Sequence, residues 1–347
     1  MDTLRLNVNL LRERVPNLTT AARAVGLRPA TVSNLTTGKT PIGRAEVRTL
    51  AALASLAECS LDELIIRGES FTMLETGIKV VDLFSPIVEG GTAGLVARPG
   101  MGQIVVLAEI LHVMRKEGYT TLLLRPEGKY PDLDDIAGEV DVSCEKIDEV
   151  FEAVKKAGDS KGVIFAADRS HVITNETFLL QERLGEADIN YVTTFLLDLK
   201  GEAVDEELPY GPLETLLQFD ADLASRQIFP ALNPLLSTSV LLEGGETDKQ
   251  HFLLQQRARK VLRRYRELRF FTTSRGVDTI PTAEAETYKR GERLEAYLSQ
   301  PFYTAAEFTG QPGISVPLKA VLNDVNRILD GTADDRSPEE MKYIGSF

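Results

Sequence analysis

The chain has 347 residues, 43% apolar and 26% charged, enough for two or three globular domains with cores of their own. No window approaches eighteen uninterrupted apolar residues, which excludes a membrane span, and the N-terminus does not read as a signal peptide. Cys59 and Cys144 lie too far apart for a disulfide framework, and with three histidines they leave no zinc cluster; a cytoplasmic setting is expected and no metal site is assigned. The net charge of −13 is unevenly spread: residues 1–50 carry eight Arg and Lys against three acids, a net of +5, so the remainder carries −18. A basic head on an acidic body can approach nucleic acid where a uniformly acidic chain would be repelled.

Four short helices are predicted before residue 68, making a small all-helical head. Leu4–Arg14 is amphipathic, with Leu4, Leu10, Leu11 and Val15 on one side. Asn17 is a good cap for Leu18–Val25, and Gly26 suits the left-handed residue that ends a helix. Pro29 opens the next helix, through Leu35, with Gly38 as its stop. Val47–Glu58 carries Leu50, Leu53, Leu56 and Ala57 at helical spacing, and Ser60 caps a last turn, Leu61–Ile66.

Helix, glycine turn and second helix in AARAVGLRPATVSNLTTGK resemble the Cro/repressor helix-turn-helix family, with Ala22, Gly26, Val32-Ser33 and Gly38-Lys39 at the family spacing. The resemblance implies double-stranded DNA as a partner. Arg28, Ala30, Thr31, Ser33 and Asn34 would face a major groove, and Lys39, Arg44 and Arg48 would meet phosphates. Leu18 stands where the family often has a phosphate-anchoring Gln, so a single head should bind modestly and a dimer or higher homo-oligomer is expected.

After a polar linker, residues 68–73, strands alternate with helices. GLVARPG, TTLLLRPEG and GVIFAADRS read as buried strands ending in polar turns, and Val105–Lys116 and Cys144–Ala157 have helical period. That alternation predicts an α/β fold with a parallel sheet and ligand chemistry at the strands' carboxyl ends. The stretch LETGIKVVDLFSPIVEGGTAGLVARPGMGQIVVLAEIL then resembles the catalytic domain of the F-type ATP synthase β subunit, and FPALNPLLSTS, YLSQPF, EFTG and VPLK extend the match in order. The resemblance implies a RecA-like P-loop core over residues 74–245 and a helical C-terminal domain over 246–347, behind a helix-turn-helix domain over 1–67.

A phosphate-binding loop needs glycine backbone donors, a Lys for the phosphates and a Ser or Thr for magnesium. Here the loop runs Ala97 to Ile104: Gly100 and Gly102 remain, the Lys position is Gln103 and the hydroxyl position is Ile104, while Pro99 removes a donor. Arg98 is the one nearby cation that could substitute. Glu127 falls where the family orients the attacking water, but Gly128 follows it in place of Arg. Asp168 ends a strand where it would hold magnesium through water or simply cap the strand, and Val240 replaces the family's finger Arg. No residue is therefore assigned as catalytic, and a pseudo-ATPase is expected. Phe229, Phe302 and Phe308 take the places of the family's adenine-pocket aromatics, either as a retained pocket with weak ATP or ADP binding or as plain core.

The family's barrel domain and acidic rotor-facing stretch have no counterpart; residues 278–286 read DTIPTAEAE instead. Residues 257–269 form a basic helix whose Arg257, Arg259, Lys260, Arg263, Arg264, Arg266 and Arg269 either neutralise the acidic body or dock a protein or phosphate partner. The chain is thus expected to be a DNA-binding transcriptional regulator with a pseudo-ATPase body used for oligomerisation or ligand sensing. An ATP-dependent nucleic-acid motor or switch, and a docking factor for ATPase-type rings, stay open as alternatives.

Overall fold

The computed structural model describes residues 3–15, 18–36, 40, 42–68, 71–158, 160–206, 209–243, 247–275 and 280–347. They fall into two compact units, Met1–Thr72 with Val240–Phe252, and Met73–Ser239 with Leu253–Phe347. No helix among them is long and apolar enough to cross a membrane.

The smaller unit is not all-helical as expected. Strand β1 (Thr3–Leu6) pairs antiparallel with β2 (Ile65–Gly68), Leu6 opposite Ile65. The predicted Leu4–Arg14 helix accordingly starts only at Val8, where the Asn7 side chain accepts the Leu10 N–H at 3.1 Å. The closing turn stops at Leu64 for the same reason: the β-branched Ile65 and Ile66 enter the strand, and pairing satisfies backbone groups that a short helix end would leave open. Helices Leu18–Ala24, Pro29–Thr36 and Val47–Leu56 form as predicted. Gly26 is left-handed at φ 76°, and the Leu27 N–H reaches back to the Ala22 carbonyl at 2.9 Å, closing the first of these helices. Ser60 and Glu63 cap each other's backbone. Leu11, Ala22, Val32, Leu35, Leu53 and Leu64 make the core of this unit. Asn17 and Gly38, read as cap and stop, lie outside the described residues.

The larger unit is an α/β fold around one sheet. β3 (Met73–Leu74) and β4 (Ile87–Val88) form a small antiparallel pair before it. The sheet strands are β5 (Thr92–Val96), β6 (Thr120–Leu124), β7 (Val142–Cys144), β8 (Val163–Asp168), β9 (Val192–Leu197), β10 (Thr215–Gln218) and β11 (Thr238–Ser239), in the order β11-β10-β5-β9-β8-β6-β7. All neighbours are parallel except β10 and β11. The stretch from Cys144, expected as one helix, divides into the end of edge strand β7 and the helix Ile147–Lys156, because pairing with β6 claims Cys144.

The strands read as continuous apolar runs because both faces are covered. Leu122, Phe165, Ala167 and Leu196 pack with helices Ile147–Lys156 and Glu176–Glu186 on one face. Leu95, Leu123, Ile164 and Phe195 face the other way, into a core shared with helices Gln103–Lys116, Lys249–Arg275, Ala285–Leu298 and Leu318–Asp330. The C-terminal helices therefore complete the sheet's own hydrophobic layer.

A lysine lies inside that layer, together with the buried acids Asp82, Glu109 and Asp324. Lys79 is fully buried, its Nζ donating to the carbonyls of Tyr297 and Ile344, the latter at 2.8 Å, and sitting 4.2 Å from the Tyr297 ring centre. Burial pulls its pKa down to about 7, against the opposing field of Asp324. The unfolded chain then holds the Lys79 proton more tightly between pH 7 and 10, so this residue's destabilising contribution is full below pH 7 and fades as pH rises. Urea unfolding of the wild type and of Lys79→Met should show the wild type gaining on the variant by up to about 1.4 kcal/mol per pH unit across that window. A pH-independent difference would contradict the depressed pKa.

Candidate functional site

Parallel register brings the strand ends level. Asp168 lies opposite Leu197, Leu197 opposite Leu95, and Val96 opposite Gln218, so the loops after β5, β8, β9 and β10 open on one edge. The chain leaves β5 toward β6 on one side, while β10 joins β5 on the other; such a reversal is where open α/β sheets bind ligands.

The loop from Ala97 to Gly102 keeps the backbone turn. Gly100 and Gly102 have φ of 83° and 87°, and a Cβ on either would meet no neighbour, so conformation and not crowding calls for glycine. Gly102 caps the helix Gln103–Lys116, which has no acid in its first turn and Arg115 and Lys116 in its last, an arrangement that suits the helix dipole. Gln103 is buried and Ile104 packs against the core. Neither offers a charge or a metal ligand at the helix start. Arg98 is exposed and stands 3.8 Å from the equally exposed Asp205, a weak pair.

The acidic positions hold the edge together. Asp168 is buried, one carboxylate oxygen accepting from the Ser170 N–H and the other from the Leu199 N–H, each at 2.9 Å. Its carboxylate caps the following helix and ties β8 to the end of β9. Asp198 does similar work, accepting from the backbone of Lys200 and Ala203 at 2.9 and 2.6 Å. Glu127 is exposed on the loop after β6, beside Gly128 at φ 116°.

Sequence reading missed Arg169. It is buried behind the β9 loop, 4.0 Å from Asp198 and 3.6 Å from Glu202, bonded to Glu206, and its Nε donates to the Pro209 carbonyl at 3.2 Å. The signal was a cation directly after a strand-end Asp, followed some thirty residues on by several acids; only the fold closes that distance.

The three aromatics do not form one box. Phe302 is in the core beside helix Gln103–Lys116, whose buried Glu109 accepts from Tyr303 and Thr304 N–H at 3.1 and 3.0 Å. Phe229 is part-exposed, with its carbonyl accepting from Gln300 N–H at 2.9 Å. Phe308 is 99% exposed on the short helix Ala306–Thr309 and makes no ring contact among the described residues. A side chain that exposed contributes nothing to a preformed pocket.

In the smaller unit, Arg28, Ala30, Thr31 and Ser33 are exposed on or beside the helix Pro29–Thr36, and Asn34 is half-buried, while Val32 and Leu35 point into the core. Arg44 is exposed at the end of the turn Ile42–Arg44, and exposed Arg48 pairs with Glu46. Lys39 lies outside the described residues. On the basic helix, Leu254, Ala258, Leu262, Tyr265 and Leu268 are buried. Arg257 pairs with Asp330, Arg264 with Glu267 and Glu284, Arg266 with Asp220, and Arg269 with Asp222; Arg259 donates to the Phe84 and Ser237 carbonyls. Most of its charge is neutralised within the body.

No protein-family model matches the chain. Among curated proteins, it is 26% identical over 331 residues to ATP synthase subunit beta 2 of Bradyrhizobium sp., which covers 80% of this chain and 69% of that protein. The chain is thus similar in sequence to an ATP synthase β subunit over most of its length. Among solved structures, the ATP synthase subunit NeqB of Nanoarcheaum equitans superposes with a TM-score of 0.58 at 17% identity, covering 77% of this chain and 78% of that one, which agrees with a RecA-like fold. In this β-like body the loop bearing Gln103 leans on the β9 turn: a Cβ on Gly201, at φ 74°, would lie 2.3 Å from Pro99 Cδ. Gly201→Ala should cost roughly 1–3 kcal/mol in chemical denaturation, through overpacking and a left-handed Ala, whereas Gly100→Ala should show the conformational part alone. Equal effects of the two would place the contact elsewhere.

Proposed function

We propose that the protein is a DNA-binding transcriptional regulator whose ATP synthase β-like body no longer turns over ATP and serves assembly or ligand sensing. The observation that carries the reading is the second helix of the head: Arg28, Ala30, Thr31 and Ser33 are solvent-facing while Ala22, Val32 and Leu35 lock the two helices together across the Gly26 turn. A short polar face held by a buried seam is what a major groove accepts. The +5 charge of residues 1–50 supplies the phosphate attraction.

Binding to fluorescent random-sequence duplexes tests the head. Affinity should fall steeply with salt, and Arg28→Ala combined with Lys39→Ala should reduce the slope of log K against log salt by roughly 2. No binding at low salt would sink the regulator reading.

For the body, the support is chemical. At the start of the helix Gln103–Lys116 a neutral amide stands where a triphosphate needs an ammonium, and a branched hydrocarbon side chain stands where magnesium needs a hydroxyl. Calorimetry with magnesium-ATP should give weak or no binding for the wild type. Gln103→Lys with Ile104→Thr should tighten it by about tenfold or more, since a charge-assisted hydrogen bond contributes about 1.5–3 kcal/mol. Wild-type phosphate release that Glu127→Gln abolishes would overturn the pseudo-ATPase.

A further inference from the structure

On the sheet face turned away from the C-terminal helices, a cavity of about 230 Å³ lies under the helix Glu176–Glu186. Parallel register builds its floor: Thr92 of β5 is opposite Thr194 of β9, and Thr194 is opposite Phe165 of β8, so the three side chains share one row. Leu180 and Leu184 form the helical wall. The other wall is the Tyr210 ring, whose hydroxyl donates to the Leu95 carbonyl at 2.6 Å. That ring lies against the sheet because β5 carries no side chain at Gly94, where a Cβ would come 2.7 Å from Tyr210 Cδ2. Exposed Asn175, Phe178 and Gln181 mark the mouth. The cavity sits at the start of β5, away from the glycine loop that follows the strand's other end.

Two features of the lining speak to an occupant. Thr177 and Thr194 are only 8% and 7% exposed, and neither hydroxyl has a hydrogen-bond partner among the described residues. Buried hydroxyls are ordinarily bonded, and leaving one unpaired is costly. Second, no Asp, Glu, Lys, Arg or His among the described residues lines the cavity. A charged group entering it would give up its hydration without compensation. Protein interiors leave few spaces larger than a water molecule, and an apolar cavity of about 150 Å³ already takes benzene. A space of about 230 Å³ therefore suits a ring system of roughly ten non-hydrogen atoms, smaller than a drug-sized ligand.

We propose that this cavity binds a small, uncharged, flat ring compound. Its apolar faces pack on Phe165, Leu184 and Tyr210, and an N–H, hydroxyl or carbonyl on its edge bonds the Thr177 and Thr194 hydroxyls. A nucleotide fits poorly, because nothing in the lining would neutralise its phosphates. The inference rests on the ligand-sensing part of the reading above and names the class of ligand sensed.

The test titrates the full chain with indole by calorimetry, using indole-3-acetate as the charged counterpart of the same ring. Indole should saturate one site with a Kd below about 1 mM, and indole-3-acetate should bind at least about tenfold more weakly. Val172→Trp brings a ring of the probe's own size into the cavity from a half-buried position on its lining. It should abolish indole binding while leaving thermal unfolding unchanged or raised. Thr177→Val with Thr194→Val keeps the shape, removes both hydroxyls, and should weaken indole binding by roughly two- to tenfold. Should Val172→Trp fail to fold, the valine pair still carries the test. Absence of saturable indole binding, binding that survives Val172→Trp, equal or tighter binding of the acetate, or an unchanged Kd in the valine pair each overturns the proposal. Failure of the head to bind duplexes would sink the regulator and leave indole binding standing, whereas duplex binding without indole binding would sink the cavity alone.

Discussion

Asp168 faces Leu197 across one strand boundary, and Leu197 faces Leu95 across the next. That shared register governs everything else in the body, because each strand must bury side chains on both faces at once. A slip of one residue would exchange the two hydrophobic sets, sending Leu123 and Ile164 toward the helices that now cover Leu122 and Phe165. Burial thus fixes where every strand stops, and the stopping points fix the loops. The carboxyl edge is a by-product of packing.

The loop after β5 illustrates this. Its left-handed Gly100 and Gly102 hold a turn of the kind a phosphate cradle uses to aim N–H groups, while Met101 and Ile104 pack against the core and Arg98 stays exposed. Ile104 gains contact area, and Gln103 is buried. Asp168, Asp198 and Arg169 are likewise turned to structural work: caps, strand ties and a buried guanidinium. At this edge the charges of Asp168, Asp198 and Arg169 are taken up by hydrogen bonds and ion pairs within the scaffold.

The alternation of strands and helices was plain in the sequence because parallel strands buried on two sides are apolar throughout, and β5, β6 and β8 could be placed from their polar ends. The identities of Gln103 and Ile104 at the start of the helix after β5 are likewise read straight from the sequence. Less visible were features made by distant pairing. β1 and β2 lie some sixty residues apart, so Leu4 passes for part of one helical stripe with Leu10, Leu11 and Val15 until Ile65–Gly68 is brought alongside as a strand. β7 is three residues long at a sheet edge and borrows Cys144 from what periodicity assigns to a helix. The ion pairs of the basic helix were equally hidden, as Asp220, Asp222 and Asp330 are remote in sequence from the arginines they hold.

Those pairs also decide where the chain can attract an anion. The body spends its arginines inward, on Asp330, Asp220, Asp222 and the cluster around Arg169, and so presents a surplus of unpaired acids such as Glu182 and Glu186. In the smaller unit Arg28 and Arg44 remain solvated. Electrostatic attraction fades over about 8 Å at physiological salt, so a net charge of −13 summed over the whole chain says little about any one surface. Exposed cations remain on both units, Arg28 and Arg44 in the smaller and Lys260 and Arg263 in the larger, alongside exposed acids on each. Attraction for an anion is therefore set by which cations stay unpaired locally, not by the sum over the chain.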